Sequence, residues 1–258
     1  MALNRPIHSF HGKKVWIIGA SSGIGSALSK ELMNNGAWVA MSARRVERLT
    51  EIQTPDKSEA LIIPLDVTHP ETIFNAHETI LKSWGAIDLM IYVSGVYHPL
   101  RAWDLNRNKI QTMIETNLTG AMLACDTVIQ GMLAHHSGGV AIVSSVSGYR
   151  GLPKALIYGP TKAALINYAE TLYYDLHDKG ISTYLINPGF VKTEATAQND
   201  FYMPALISAE EAAKEILKGL QKGYFEIHFP KRFTLWLQLF RLLPYSIYFW
   251  LIKKLLKI

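Results

Sequence analysis

The chain has 258 residues, 49% hydrophobic and 18% charged, a balance that suits one α/β domain with a large core and excludes a disordered chain. Its single cysteine, Cys125, excludes a disulfide framework and a multi-cysteine metal site, so no metal is expected, and it fits a reducing, cytoplasmic compartment. Net charge is +5, yet six basic and no acidic residues follow Pro230, which leaves residues 1–230 with 20 basic against 21 acidic and no surplus to recruit nucleic acid.

Residues 1–10 contain no apolar run of signal-peptide length, so secretion is not expected. A buried strand is predicted over 14–19 and a helix over 23–35, closed by Gly36. A second strand follows at 37–42, with a helix from 45. A third strand at 60–65 leads to a helix over 70–84, and a fourth strand occupies 87–93. Then come a long helix over 109–135, a fifth strand at 139–144, a helix over 157–179 and a sixth strand at 181–186. A shorter helix over 208–222 and a last strand at 224–229 complete the body. This alternation predicts an α/β fold, a Rossmann-type doubly wound parallel sheet of about seven strands with helices on both faces. No Gly/Ser/Pro linker interrupts it, so one domain is expected over 1–230, with a helical appendage over 231–258.

Gly19-Ala-Ser-Ser-Gly23-Ile24-Gly25 follows the first strand and opens the first helix. Glycines there let the backbone turn tightly and approach a pyrophosphate, while the helix N-terminus offers free N–H groups and a positive dipole end. An ordinary strand-to-helix turn is the bland alternative; three glycines in strand-loop-helix context favour a dinucleotide. An acidic residue at the end of the second strand would suit the ribose hydroxyl of NAD. This chain has Ala43-Arg44-Arg45, and a guanidinium suits the 2′-phosphate of NADP. Ser21 or Ser22 could add a hydroxyl to that phosphate. Asp66 and Val67, ending the third strand, suit the adenine rim; a helix-capping aspartate is the alternative for Asp66.

Tyr158 and Lys162 stand four apart, so on a helix they share one face. A free phenol titrates near about 10, and a cation held against it favours the phenolate, which would bring the group towards useful acid/base chemistry at neutral pH. In isolation such a pair is usually a surface tyrosine beside a solvated lysine.

Together these residues resemble the short-chain dehydrogenase/reductases. The glycine loop, Asn117 in Glu-Thr-Asn-Leu-Thr-Gly, the strand end Ser144-Ser145-Val-Ser-Gly148, Tyr158-x-x-x-Lys162 and Asn187-Pro-Gly-Phe-Val-Lys-Thr193 occur in that family's order over residues 13–229. The resemblance implies that Tyr158 protonates a carbonyl oxygen during reduction, that Lys162 lowers its pKa and binds the nicotinamide ribose, and that Ser145 hydrogen-bonds the carbonyl. Ser145 is preferred to Ser144 because its spacing to Tyr158 matches the family. Asn117 would kink its helix and hold a proton-relaying water. Pro188, Gly189, Val191 and Thr193 would line the nicotinamide side, and Gly95 would also face the cofactor. Two positions depart from the pattern: Val93-Ser94-Gly95 replaces the usual Asn-Ala-Gly, and Ile18 stands where a threonine usually precedes the first glycine. Altered bracing near the adenosine side is expected, without loss of activity. The family commonly pairs through the helices near 109–135 and 157–179, which implies a homodimer or homotetramer.

In the appendage, Pro244 divides two short helical candidates, each below the ~20 apolar residues needed to span a bilayer. Their Trp, Tyr, Phe and Leu content, with Lys and Arg as the only charges, resembles an interfacial membrane helix. The alternative is that they pack on the enzyme, cover its cleft or join two subunits. Either arrangement, with the apolar stretch 194–206, points to a small hydrophobic carbonyl or alcohol as substrate. The protein would be cytoplasmic and peripheral on the inner face of a membrane. A catalytically silent cofactor-binding protein, or a membrane-recruited interaction protein, is the reading of a different class.

Overall fold

Short runs rich in Val, Ile and Leu become strands here because each is covered on both faces. In the computed structural model, which describes residues 2–52, 59–199 and 201–256, they are β1 (Lys14–Ile18), β2 (Trp38–Ala43), β3 (Ala60–Pro64), β4 (Leu89–Tyr92), β5 (Gly138–Val143), β6 (Ile181–Pro188) and β7 (Glu226–Phe229). They form one sheet in the order β3-β2-β1-β4-β5-β6-β7, every pair parallel. Successive residues of β1 serve opposite sides. Val15 and Ile17 join the core under α1 (Gly23–Asn34) and α7 (Ala209–Gln221). Trp16 and Ile18 join the core under α3 (Pro70–Trp84), α5 (Gly120–His135) and α6 (Tyr158–Leu176). The strand order reverses between β1 and β4, which leaves a crevice beyond their carboxyl ends where ligands of such sheets bind.

Several predicted elements end differently. The helix from 45 is only α2 (Val46–Thr50), and the last strand starts at Glu226 rather than 224. The long predicted helix divides into α4 (Arg107–Ile114), a π-helical turn (Glu115–Thr119) and α5. Asn106 caps α4 by accepting from the Lys109 amide at 3.0 Å. The widened turn brings Asn117 inward, where it is fully buried.

The appendage forms α8 (Lys231–Phe240) and α9 (Tyr245–Leu256), separated at Pro244 as predicted. It packs on the body. Arg150 Nη1 donates to the carbonyls of Phe240 and Leu243 at 2.9 and 2.6 Å, which caps the end of α8. The same guanidinium lies over the rings of Tyr245 and Tyr248 at 4.7 and 4.1 Å. Tyr248 Oη donates to the Gly151 carbonyl at 2.9 Å. The outward side stays apolar: Trp236, Leu242 and Trp250 are 61%, 81% and 60% exposed.

Candidate active site

A cleft of about 500 Å³ opens at the carboxyl ends of the strands. The loop between β1 and α1 forms one end. Gly19 has φ +97°, and a Cβ on it would lie 2.6 Å from the Ser94 amide nitrogen. A Cβ on Gly25 would lie 2.1 Å from the Gly19 carbonyl oxygen. Glycine at these two positions therefore lets the α1 N-terminus close onto the loop. Gly19, Ser21, Ser22, Gly23 and Ile24 line the cleft, whereas Gly25 packs behind it. Val93 and Ser94, the departure from the family pattern, are braced by their amides, which both donate to the Ile18 carbonyl at 2.9 Å.

Arg44 and Arg45 leave β2 at the same end, with Asp66, Val67 and Gly95 on the neighbouring strand ends. Arg45 Nη2 donates to Ser22 Oγ at 3.1 Å and Ser21 Oγ at 3.5 Å. It also pairs with Glu194 at 3.0 Å. Burial opposes the charge of Asp66, but the amide and hydroxyl of Thr68 and nearby Arg44 prevail and hold its pKa below the usual value. The Asp66 carboxylate thus fastens its own turn and faces the cleft as well. A cradle of glycine backbone, a free helix N-terminus and a guanidinium–hydroxyl cluster suits the pyrophosphate and an adenosine phosphate.

At the opposite end, Ser145 precedes a 3₁₀ turn (Val146–Gly148), and its Oγ accepts from the Ser147 amide at 3.1 Å. A Cβ on Gly148 would lie 2.7 Å from the Lys162 carbonyl carbon, so this turn lies directly on α6. That contact sets Ser145 beside Tyr158, the first residue of α6, where its hydroxyl favours the phenolate. Ser144 Oγ instead donates to the Lys162 carbonyl at 2.7 Å. Pro188, Gly189, Val191 and Thr193 form the facing wall.

The Tyr158–Lys162 electrostatics differ from the expectation. Burial pushes the phenol up to about 12; Ser145 pulls it down and Tyr97 adds to the rise. Burial also brings the Lys162 amine down to about 7. Lys162 Nζ donates to the Val143 carbonyl at 2.8 Å and lies 5.6 Å from the centre of the Tyr158 ring. Withdrawal from water, nearly complete at Lys162 and partial at Tyr158, disfavours both charges and outweighs any pull of the ammonium on the phenol.

Asn117 does not line the cleft. Its Oδ1 accepts from the Val96 amide at 2.7 Å, and its Nδ2 donates to the Val96 carbonyl at 2.9 Å and Thr161 Oγ1 at 3.3 Å. It holds the loop leaving β4 against α6. Tyr97 and His98 are cleft residues that the sequence reading did not name, and Glu194 and Gln198 fall in the stretch 194–206, which was noted only for its apolar content. Tyr97 stands edge-on to Tyr158, ring centres 5.0 Å apart. Their signal was adjacency, since Tyr97 and His98 follow Gly95 and Glu194 follows Thr193.

The short chain dehydrogenase family model matches residues 13–201. This chain belongs to the short-chain dehydrogenase family. It is an oxidoreductase of that family, which uses nicotinamide cofactors. An uncharacterized oxidoreductase of Myxococcus xanthus strain DK1622 is 31% identical over 231 residues, covering 88% of this chain and 91% of its own. A short-chain dehydrogenase/reductase from Burkholderia phymatum, solved with NAD, superposes with a TM-score of 0.82 at 20% identity over 90% of this chain and 93% of its own. ElxO, solved with NADP bound, superposes with a TM-score of 0.74 at 23% identity over 84% and 97%. These two likenesses describe the fold of this short-chain dehydrogenase.

Proposed function

We propose that this short-chain dehydrogenase is an NADP(H)-dependent oxidoreductase that interconverts a hydrophobic ketone or aldehyde and its alcohol. The observation that carries this reading is one cleft with Ser145, Tyr158 and Lys162 at one end and Arg44 and Arg45 at the other. The two arginines would take the 2′-phosphate, the loop of residues 19–25 the pyrophosphate, and the 188–193 wall the nicotinamide. When bound, the nicotinamide supplies or accepts the hydride. As hydride reaches the carbonyl carbon, negative charge grows on its oxygen. Ser145 donates to that oxygen, and Tyr158 Oη gives it a proton. The remaining phenolate regains a proton from the Lys162 ammonium, whose lowered pKa makes it a willing donor near neutral pH.

Phe190 supports the hydrophobic substrate class. Its ring meets Phe201 at 5.9 Å and Phe233 of α8 at 5.6 Å, so an apolar cluster stands beside the 188–193 wall. The exposed apolar side of α8–α9, flanked by Lys231, Arg232, Arg241, Lys253 and Lys254, favours peripheral contact with an anionic membrane from the cytoplasmic side. No helix among the described residues is long and apolar enough to cross a membrane. The working unit on this reading is a homodimer or homotetramer joined through α5 and α6. An NADPH-oxidation screen across ketones and aldehydes of graded chain length tests the reaction. Turnover should rise with chain length; absence of turnover across the panel contradicts the reading.

A further inference from the structure

We infer that Glu226 is a positioning residue of this active site, joining the segment that carries Ser145 to the segment that would face the nicotinamide and fastening both to α8. The inference rests on the reaction proposed above. Glu226 opens β7, at some distance in sequence from every motif of the site. Its Oε1 accepts from Tyr149 Oη at 2.5 Å and from Asn187 Nδ2 at 2.7 Å. Its Oε2 accepts from Gln238 Nε2 at 3.0 Å.

The identity of these donors gives the cluster its meaning. Tyr149 follows the 3₁₀ turn headed by Ser145. Asn187 directly precedes Pro188 and Gly189, and its side chain is wholly buried. Gln238 lies on α8. One carboxylate therefore accepts from both catalytic segments and from the appendage. Bonds from neutral donors to an ionised acceptor are short and about twice as strong as neutral pairs. Tyr149 is held as a donor: burial, then the Glu226 charge, raises its phenol pKa, so it keeps its proton. The Arg241 guanidinium lies over the Tyr149 ring at 5.1 Å and packs its outer side.

A purely structural carboxylate would matter for stability alone. A positioning carboxylate must also fix the distance between the carbonyl-binding serine and the nicotinamide wall, to which hydride transfer is steeply sensitive. Glu226→Gln keeps the volume but turns one acceptor into an NH₂ that faces donors. Tyr149→Phe removes a single donor and is the milder change. Both variants of the full chain are compared with wild type for NADPH affinity by fluorescence titration, for kcat and KM, and for the isotope effect with 4-deuterated NADPH. Glu226→Gln should lower kcat about ten- to hundredfold, raise the isotope effect and leave NADPH affinity within about twofold, because the adenosine end is remote. Tyr149→Phe should move the same quantities less, and the double variant should be no worse than Glu226→Gln. Amide exchange should quicken together in residues 145–151 and 187–193 of Glu226→Gln.

Wild-type kcat and isotope effect in both variants would overturn the inference. So would a fall in kcat matched by lost NADPH affinity with an unchanged isotope effect. If the wild-type protein turns over no carbonyl, the reaction reading itself fails. Amide exchange then decides the role of Glu226, and unchanged protection in either segment rejects it.

Discussion

On the proposed reading, Ser145, Tyr158 and Lys162 set the chemistry. Tyr158 begins protonated with its phenol at about 12, which suits an acid in carbonyl reduction. Lys162 titrates near 7, so the proton held behind Tyr158 is lost as pH rises. The kcat/KM for reduction should therefore fall as pH increases through about 7, and Lys162→Met should lose that limb along with most of its rate; a wild-type profile flat from pH 6 to 9 would contradict this. The spacing of Tyr158 and Lys162 revealed their pairing, but not the sign of their shifts. Spacing places two groups on one helix face, whereas burial depends on β5, the 3₁₀ turn and the loop after β4, which fold over that face. At the other end, Arg45 is the test of cofactor preference. Arg45→Ala should weaken NADPH by about 10- to 100-fold, the worth of a charged hydrogen bond of about 1.5–3 kcal/mol, and change NADH little in the same titration. Glu194 competes for this guanidinium at 3.0 Å, so Glu194→Gln should tighten NADPH. That partner was hidden from the sequence because it lies 149 residues away on another loop.

Each functional side chain depends on how one element leaves its neighbour. The strands and most helices were legible because alternating apolar runs and 3.6-residue periodicity carry their own signatures. The π-helical turn at Glu115–Thr119 left no mark on the periodicity, since one extra residue per turn hardly disturbs the apolar pattern on either side, and only the family resemblance set a kink at Asn117. Its consequence is Asn117, whose amide satisfies both the N–H and the carbonyl of Val96. Asn117→Ala would leave both part-buried groups without these partners, at up to about 1–3 kcal/mol each before relaxation. A urea midpoint lowered by a few tenths of molar or more, with an unchanged m-value, is expected; an unaltered midpoint would show that the loop after β4 needs no such brace. The 3₁₀ turn after Ser145 is the same kind of case. The glycine at 148 was visible in the sequence, but its direct contact with the α6 backbone was not.

In the whole molecule, the appendage packs beside the crevice wall, with Phe233 of α8 5.6 Å from the Phe190 ring. The division at Pro244 and the apolar, basic character of residues 231–258 were readable from composition. The side facing the body was not, because it depends on Arg150 and Tyr149, 90 and 89 residues from their partners Phe240 and Gln238. Trp236 and Trp250 are 61% and 60% exposed, so Trp236→Glu with Trp250→Glu should leave folding intact. Wild type should sediment with phosphatidylserine vesicles less as salt increases, and the double variant should remain in solution; equal sedimentation of both would remove the membrane role, and a smaller oligomer in the variant would assign the surface to subunit contact. The central claim is that Tyr158 is the proton donor of an NADPH-dependent carbonyl reduction. The most direct test measures NADPH affinity and single-turnover NADPH oxidation on a turned-over hydrophobic ketone, in wild type and in Tyr158→Phe. Affinity should be unchanged and the oxidation rate should fall by a factor of about 10² or more; a Tyr158→Phe variant that binds NADPH and oxidises it at the wild-type rate would contradict the claim.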